Sequence, residues 1–544
     1  MAQPAASWQA ISHAKRLARD SKIPTAWRIP RDLYHEKRCV VGIPETCGVL
    51  TPDEVDITSN HDATELIEGM KSGLWTCEQV VTAFCKRAAI AQQLVNCLTE
   101  ICFEEAIERA RHLDQQRQSN PGGPLPPLFG MPISLKDSFF IPGLDATTGI
   151  VSLANQPSSE HSALVLLLLK LGAVLYCKTN VPQTMMTADS DNNLFGRTLN
   201  PHDVTKTAGG STGGEGALIA LRGSILGVGT DIAGSIRIPS VSCGIYGFRP
   251  GVGVVPYKGQ REIAMPGIEG VKPVSGPMAT SARDIHRFLE AVRNAEPWGF
   301  DSGVHKFSWM NLDPKPVEHL TIGIVEDDGT HTPHPPVRRG IKVAAEKLRA
   351  AGAKVVPIQL PEVDRHIGEL YKFFKIGGPE PLFSMIKASG EPLVNSVQMT
   401  GLVKDEYVEP PTVQDYFAMF DRRDAAIQQY QDLFQEHELD ALLMPGAPHT
   451  APPFDIWSCI SYTGLWNYLD SPACIIPVDR VRDVDVQDEI ENAKYGLEDK
   501  RVYSAYTGPE HYQGLPVTVQ LVGNRQEDEA LVRVVEVVDA VLRR

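Results

Sequence analysis

The sequence predicts an α/β fold, and three stretches carry that expectation. Residues 131–135 read as a strand, 163–171 as an apolar helix and 173–177 as a second strand, with Gly172 as the helix stop. The same order returns downstream, with a strand at 320–325, a helix at 337–351 and a strand at 354–358. Between them, 225–229 reads as a strand running into a turn of small residues, Thr230-Asp231-Ile232-Ala233-Gly234-Ser235. Alternating strands and helices point to a sheet covered by helices.

The remaining elements follow in chain order. Residues 1–22 place Trp8, Ile11 and Leu17 beside Lys15, Arg16 and Arg19. That pattern reads as an ordinary N-terminal helix, with an amphipathic transit peptide as the other reading; it is no secretory signal. Residues 62–118 read as helical, with Thr76 and Gln79 forming a capping box ahead of Val80, Val81 and Phe84. The run SNPGGPLPP at 119–127 is a loop, and so is 200–208. The most apolar run, 163–176, is interrupted by Lys170 and is too short to span a bilayer. Residues 296–420 have many Pro and Gly and little motif content, and are where insertions shaping a site are expected. The final Leu542-Arg543-Arg544 is no peroxisomal address.

Composition narrows the classes of partner. The 544 residues are 42% hydrophobic and 22% charged, ordinary for a soluble globular protein with ample chain for a large core. A net charge of −15 argues against nucleic acid or an anionic membrane as the main partner. Ten cysteines form no CxxC pair and have no zinc spacing, which suggests a reducing compartment, hence the cytoplasm. No HExxH occurs, and His331 and His334 read as solvent or turn histidines, so no metal is expected.

The candidate chemistry lies in one glycine- and serine-rich stretch and one lysine. Lys136 sits beside Ile133, Leu135, Phe139 and Phe140; burial there lowers a lysine pKa and makes it a base. The plain alternative is a structural lysine paired with Asp137. The stretch 209–216 lacks the Lys-Ser/Thr that closes a phosphate loop. Gly209-Gly210-Ser211-Thr212-Gly213 matches G-x-S-x-G, which leaves open an α/β-hydrolase-type esterase with Ser211 as nucleophile; the loop expected at 200–208 argues against it, because that motif needs a strand before it. Ser235 has the better setting, since small residues leave backbone N–H groups free to converge as an oxyanion hole. Asp231 and Arg237 flank it, either bracing the loop or forming a plain salt bridge.

These residues together resemble the amidase signature family. The block GGSTGGEGAL…GTDIAGSIRIP…CGIYGFRP is similar to its signature, and PLFGMPISLKD, KTNVPQTMM, NNLFGRTLNP, SGPMATSARD and GLPVTVQLVGNRQEDEALVRVVE match along 62–540. CGVLTPDE and AFCKRAAIAQQLVNCLTE are most similar to fungal acetamidase-type members. The resemblance implies a single large domain over 61–544, with a central mixed sheet covered by helices, and an N-terminal helical extension over 1–60. It implies a Ser–cis-Ser–Lys triad: Ser235 as nucleophile, Ser211 as bridge after a cis Gly210–Ser211 bond, and Lys136 as base. It places the oxyanion hole at the N–H groups of Ile232, Ala233, Gly234 and Ser235. It sets Met185, through its carbonyl, and Thr187 against the substrate amide. Two departures stand out: Ala233 replaces a common Gly, which at positive φ would reshape the hole, and Thr212 replaces a common Ser. The implied activity is hydrolysis of small to medium carboxamides without a cofactor, in a homodimer by analogy. The alternatives are a fatty-acid or aryl amide hydrolase, an amidotransferase subunit, and an inactive homologue acting as a binding protein.

Overall fold

In the computed structural model, which describes residues 7–263, 265, 267, 269–400 and 411–544, one mixed eleven-stranded sheet forms the centre. Its strands are β1 (Leu98–Ile101), β2 (Pro132–Lys136), β3 (Val174–Thr179), β6 (Leu226–Asp231), β7 (Tyr246–Arg249), β8 (Val274–Ala279), β9 (Thr321–Ile324), β10 (Lys354–Pro357), β11 (Ala441–Met444), β12 (Ala473–Arg480) and β13 (Pro516–Val522). The order across the sheet is β1-β3-β2-β6-β8-β7-β12-β13-β11-β9-β10. β3, β2 and β6 run parallel, as do β11, β9 and β10, and the middle is antiparallel. Burial on both faces explains why β2, β3, β6 and β13 read as continuous runs rather than as alternation. A short side hairpin pairs β4 (Leu199–Asn200) with β5 (Asp203–Thr207).

The expected α/β units stand with small boundary shifts. The helix Ala163–Lys170 ends before Gly172, whose φ of +89° is the left-handed turn that glycine suits. The helix Pro335–Ala350 joins β9 to β10. Thr76 and Gln79 form the expected capping box at the head of the helix Cys77–Val95. The helical stretch at 62–118 is broken, however: β1 lies between Asn96, a left-handed helix stop with φ +54°, and the helix Phe103–Ser119. The segment 200–208 is not all loop, because β5 occupies part of it. His334 is not a solvent histidine either. It caps the helix Pro335–Ala350 from a buried position, its ring Nε2 lies 3.1 Å from the Val502 carbonyl oxygen, and burial lowers its pKa to about 4.

The N-terminal helix Trp8–Ser21 is tied to the core by Lys15, which pairs with Glu100 at 2.5 Å and Asp145 at 2.6 Å. The first six residues of the expected N-terminal helix, and 401–410 of the expected insertion region, lie outside the described residues. The rest of that region supplies the helices Val363–Lys375, Glu380–Ser389 and Asn395–Thr400. All ten cysteines are free thiols, eight of them buried. No helix among the described residues is long and apolar enough to cross a membrane.

Candidate active site

The site opens at the C-terminal ends of two parallel neighbours, β2 and β6, where strand ends and following loops gather polar groups. Lys136 closes β2 and Thr230 stands one residue from the end of β6. Lys136 Nζ lies 2.7 Å from Ser211 Oγ and 2.8 Å from Thr230 Oγ1, with the Thr230 carbonyl oxygen at 3.5 Å. Alternation along β2 puts Ile133 and Leu135 on the opposite face. The groups that hydrogen-bond Lys136 come instead from β6 and from the turn that carries Ser211. Lys136 is only 1% exposed. That burial pulls its pKa from 10.5 to about 7, against the opposing pull of the Asp231 and Asp137 carboxylates.

Asp137 is not the partner of Lys136. Its Oδ1 accepts from Thr99 Oγ1 at 2.7 Å, and its Oδ2 accepts from the Thr147 and Thr148 N–H groups at 2.8 and 2.7 Å. The structural-lysine alternative thus loses its partner, and Thr230, read in the sequence only as the start of the small-residue turn, takes that place.

Ser211 follows Gly210 through a cis peptide bond and precedes the helix Gly213–Ala220. A Cβ on Gly210 would stand 2.5 Å from the Thr187 carbonyl oxygen, so only glycine lets this turn press on the 185–188 segment. The helix is held to β2 and β3 by Glu215, which accepts hydrogen bonds from Ser134 and, at 2.8 Å, from Thr179 Oγ1. Thr212 Oγ1 is 3.4 Å from the Thr230 carbonyl oxygen. β5 does precede Ser211, as an elbow requires, but it belongs to the side hairpin, and the hydroxyl's partner is Lys136 rather than a histidine.

The turn after β6 is built around Asp231. Its carboxylate accepts from the Gly234 N–H at 2.8 Å, the Ile236 N–H at 3.1 Å, Arg237 Nη2 at 3.0 Å and Asn467 Nδ2 at 2.9 Å. Burial raises the pKa of this carboxyl, but the Arg237 charge and the hydrogen bonds outweigh it and hold it at about 2. Asp231 and Arg237 thus brace the turn as well as pairing with each other. Gly234 has φ +128°, and a Cβ there would stand 2.3 Å from Thr463 Oγ1, so glycine is required. Ala233 is not among the positive-φ residues, and its methyl group forces no reshaping. Its carbonyl accepts from Thr463 Oγ1 at 2.6 Å.

This wiring separates the four expected oxyanion donors. The Gly234 N–H is already committed to Asp231. The N–H groups of Ile232, Ala233 and Ser235 have no acceptor among the described residues and remain for a ligand. Ser235 Oγ likewise has no hydrogen-bond partner among the described residues, so no hydrogen bond joins it to Ser211, whose own partner is Lys136.

Ser235 lies in a pocket of about 420 Å³, open mouth included. Met185, Met186, Thr187 and Ala188 supply one wall segment, Trp457, Ser458 and Ile460 a second, and Gly210, Ile232, Ala233 and Ile238 complete the lining. Met185 has φ +55°, and its carbonyl accepts nothing from the described residues, leaving it open to a donor in the pocket. The Thr187 hydroxyl donates to the Asp189 carbonyl at 3.1 Å, with Ser396 Oγ at 3.4 Å, and makes no hydrogen bond to Lys136. Sequence reasoning missed Trp457 and Ile460. The helix Ser461–Leu469 that follows supplies braces, Thr463 and Asn467. No group of three or more metal-binding side chains occurs among the described residues.

A model of the Amidase family matches residues 79–532. The chain belongs to the amidase family. An "Amidase" of Gibberella moniliformis is 35% identical over 99% of both chains, and an "Acetamidase" of Aspergillus oryzae is 34% identical over 99% of both. A solved structure titled "Fatty acid amide hydrolase" has a TM-score of 0.93 and 30% identity, covering 98% of this chain and 95% of its own. The mixed sheet with its helical cover is therefore the amidase signature fold, and the chain is an amide-hydrolysing enzyme.

Thr230→Val tests the added member of this amidase site. It removes the hydroxyl at 2.8 Å from the Lys136 amine, leaving that buried group short of a partner. At about 1–3 kcal/mol for such a loss, kcat/KM on an amide is expected to fall about tenfold with the fold intact; an unchanged kcat/KM would remove Thr230 from the site.

Proposed function

We propose that this amidase hydrolyses small to medium carboxamides, RCONH2 giving RCOOH and ammonia, through an acyl-enzyme on Ser235. The observation that carries the reading is Lys136 Nζ, held near neutrality at 2.7 Å from Ser211 Oγ, beside a pocket that presents the Ser235 hydroxyl and three unpaired N–H groups. Neutral Lys136 takes the Ser211 proton as Ser211 takes that of Ser235. Ser235 Oγ bonds to the amide carbon, and the Ile232, Ala233 and Ser235 N–H groups hold the oxyanion. The stored proton passes to the leaving nitrogen, the C–N bond breaks and ammonia departs. Water then adds to the ester, gives up its proton along the same route and releases the acid, returning Ser235 to its hydroxyl. The Met185 carbonyl is placed to accept from the substrate NH2, and Thr187 acts through the backbone of its segment. No step calls for a metal or cofactor.

The apolar walls and the fatty acid amide hydrolase likeness favour a second reading with a longer or aryl acyl group. Ammonia release from acetamide, a C4–C6 aliphatic amide, benzamide and a long-chain amide separates the two. The small-amide reading expects the highest kcat/KM on acetamide or the C4–C6 amide, and the second reading expects it on benzamide or the long-chain amide. A strong preference for the long-chain amide, with sedimentation on liposomes, would overturn it.

A further inference from the structure

Two lining segments of the Ser235 pocket, 185–188 and 457–460, are fastened to each other through adjoining residues by one arginine that the proposed reaction does not use. Arg197 Nη1 donates to Asp189 Oδ2 at 2.6 Å; its Nη2 donates to Asp191 Oδ2 at 2.8 Å and to Asp455 Oδ1 at 2.9 Å. Asp189 directly follows Ala188, the last residue of the first wall, and Asp455 stands two residues before Trp457, the first residue of the second. The walls are also joined directly, since the Asp455 N–H donates to Asp189 Oδ2 at 2.9 Å. The guanidinium lies over the Phe454 ring, 4.5 Å from its centroid, which fixes its plane.

Asp189 extends the junction to the catalytic turn. Its Oδ1 accepts from Thr207 Oγ1 at 2.9 Å, and that oxygen in turn accepts from the Gly209 N–H at 3.0 Å, two residues before Ser211. In front of the junction, Ala188, Ile238 and Trp457 pack in one small apolar cluster. Three carboxylates meet one cation here, and burial already raises the Asp189 carboxyl to about 6. Without the guanidinium, the Asp191 and Asp455 side chains lose this shared cation, and the Asp455 N–H to Asp189 bond is left as the direct tie between the two segments.

We infer that the Arg197–Asp189–Asp455 junction is a specificity device: Arg197 positions the walls at 185–188 and 457–460 and so limits the size of the acyl group that Ser235 accepts. It rests on the reading of that pocket as the acyl site. Arg197 is a positioning residue, with its nearest link to the reacting atoms running through Asp189, Thr207 and the Gly209–Ser211 turn. A fork with five donors meets three carboxylates on two separate segments, 189–191 and 455, a task that one short polar side chain cannot repeat.

The test compares kcat/KM for acetamide and hexanamide, at pH 8 where Asp189 is ionised, in the full chain and in Arg197→Gln, Asp455→Ala and the double variant. Wild-type turnover of either amide tests the acyl-site reading itself; the ratio between substrates tests the junction. Both single variants are expected to lower the acetamide-to-hexanamide ratio, Arg197→Gln by about tenfold, with kcat for acetamide changed by less than about threefold. Because both cut the same tie, the double variant is expected to match the stronger single. A ratio that stays at the wild-type value, or an equal fall of kcat/KM on both amides, would show Arg197 to be structural only. If Arg197→Gln does not fold, Asp455→Ala decides the matter alone: a shifted ratio supports the junction and an unshifted one overturns it.

Discussion

Ser235→Ala is expected to lower amide turnover by about 10⁴-fold or more, the scale on which loss of a nucleophile acts. The fold is expected to be unaffected. Ser235 Oγ makes no hydrogen bond to the described residues, so its removal breaks no pairing, and stability should stay within about 0.5 kcal/mol. The Asp231 network that shapes the turn also survives, because it holds the backbone of Gly234 and Ile236 and the side chains of Arg237 and Asn467. Ammonia release and a thermal melt on the same preparation check both halves. Retained turnover in Ser235→Ala would move the nucleophile to Ser211 and revive the esterase alternative.

Lys136→Arg carries the second large effect. A guanidinium stays charged at any working pH and cannot take the Ser211 proton, so activity should fall by about 10³-fold, the scale of general base catalysis. Wild-type activity supplies the companion measurement. Burial lowers the Lys136 pKa to about 7, and the proposed mechanism uses the neutral amine. The protonated fraction therefore falls as pH rises, and kcat/KM should climb through an apparent pKa of about 7 to a plateau. A profile flat from pH 5 to 9 would contradict the assignment, as would substantial activity in Lys136→Arg.

The parts of this fold that sequence made legible are those with local signals. The capping box at Thr76, the stop at Gly172 and the apolar strands of the two α/β units each leave a pattern within a few residues. β1 left none: four residues sit between a helix and its successor, and only pairing with β3 makes them a strand. β5 is polar and pairs outside the main sheet, which hid the strand before Ser211. At the candidate site, Ser211, Ser235 and Lys136 could be singled out because each stands in a contiguous motif, and the structure places Lys136 beside Ser211. Thr230 could not, because its role depends on β2 and β6 lying side by side. Sequence also could not say that Asp231 consumes the Gly234 N–H, or that Ala233 avoids positive φ. The Arg197 junction was invisible for the same reason, joining carboxylates from residues 189, 191 and 455 that only the tertiary fold assembles.

The central claim is that Ser235, and not Ser211, forms the covalent bond to the acyl group, with Lys136 as its base. Peptide mass mapping after reaction with a fluorophosphonate tests it most directly. Trypsin separates the two serines, since cleavage after Lys206, Arg222 and Arg237 leaves Ser211 and Ser235 on adjoining peptides. The predicted result is one adduct on the peptide that ends at Arg237, assigned to Ser235, absent from Ser235→Ala and formed faster as pH rises through about 7. An adduct on the peptide that ends at Arg222, at Ser211, would contradict the account.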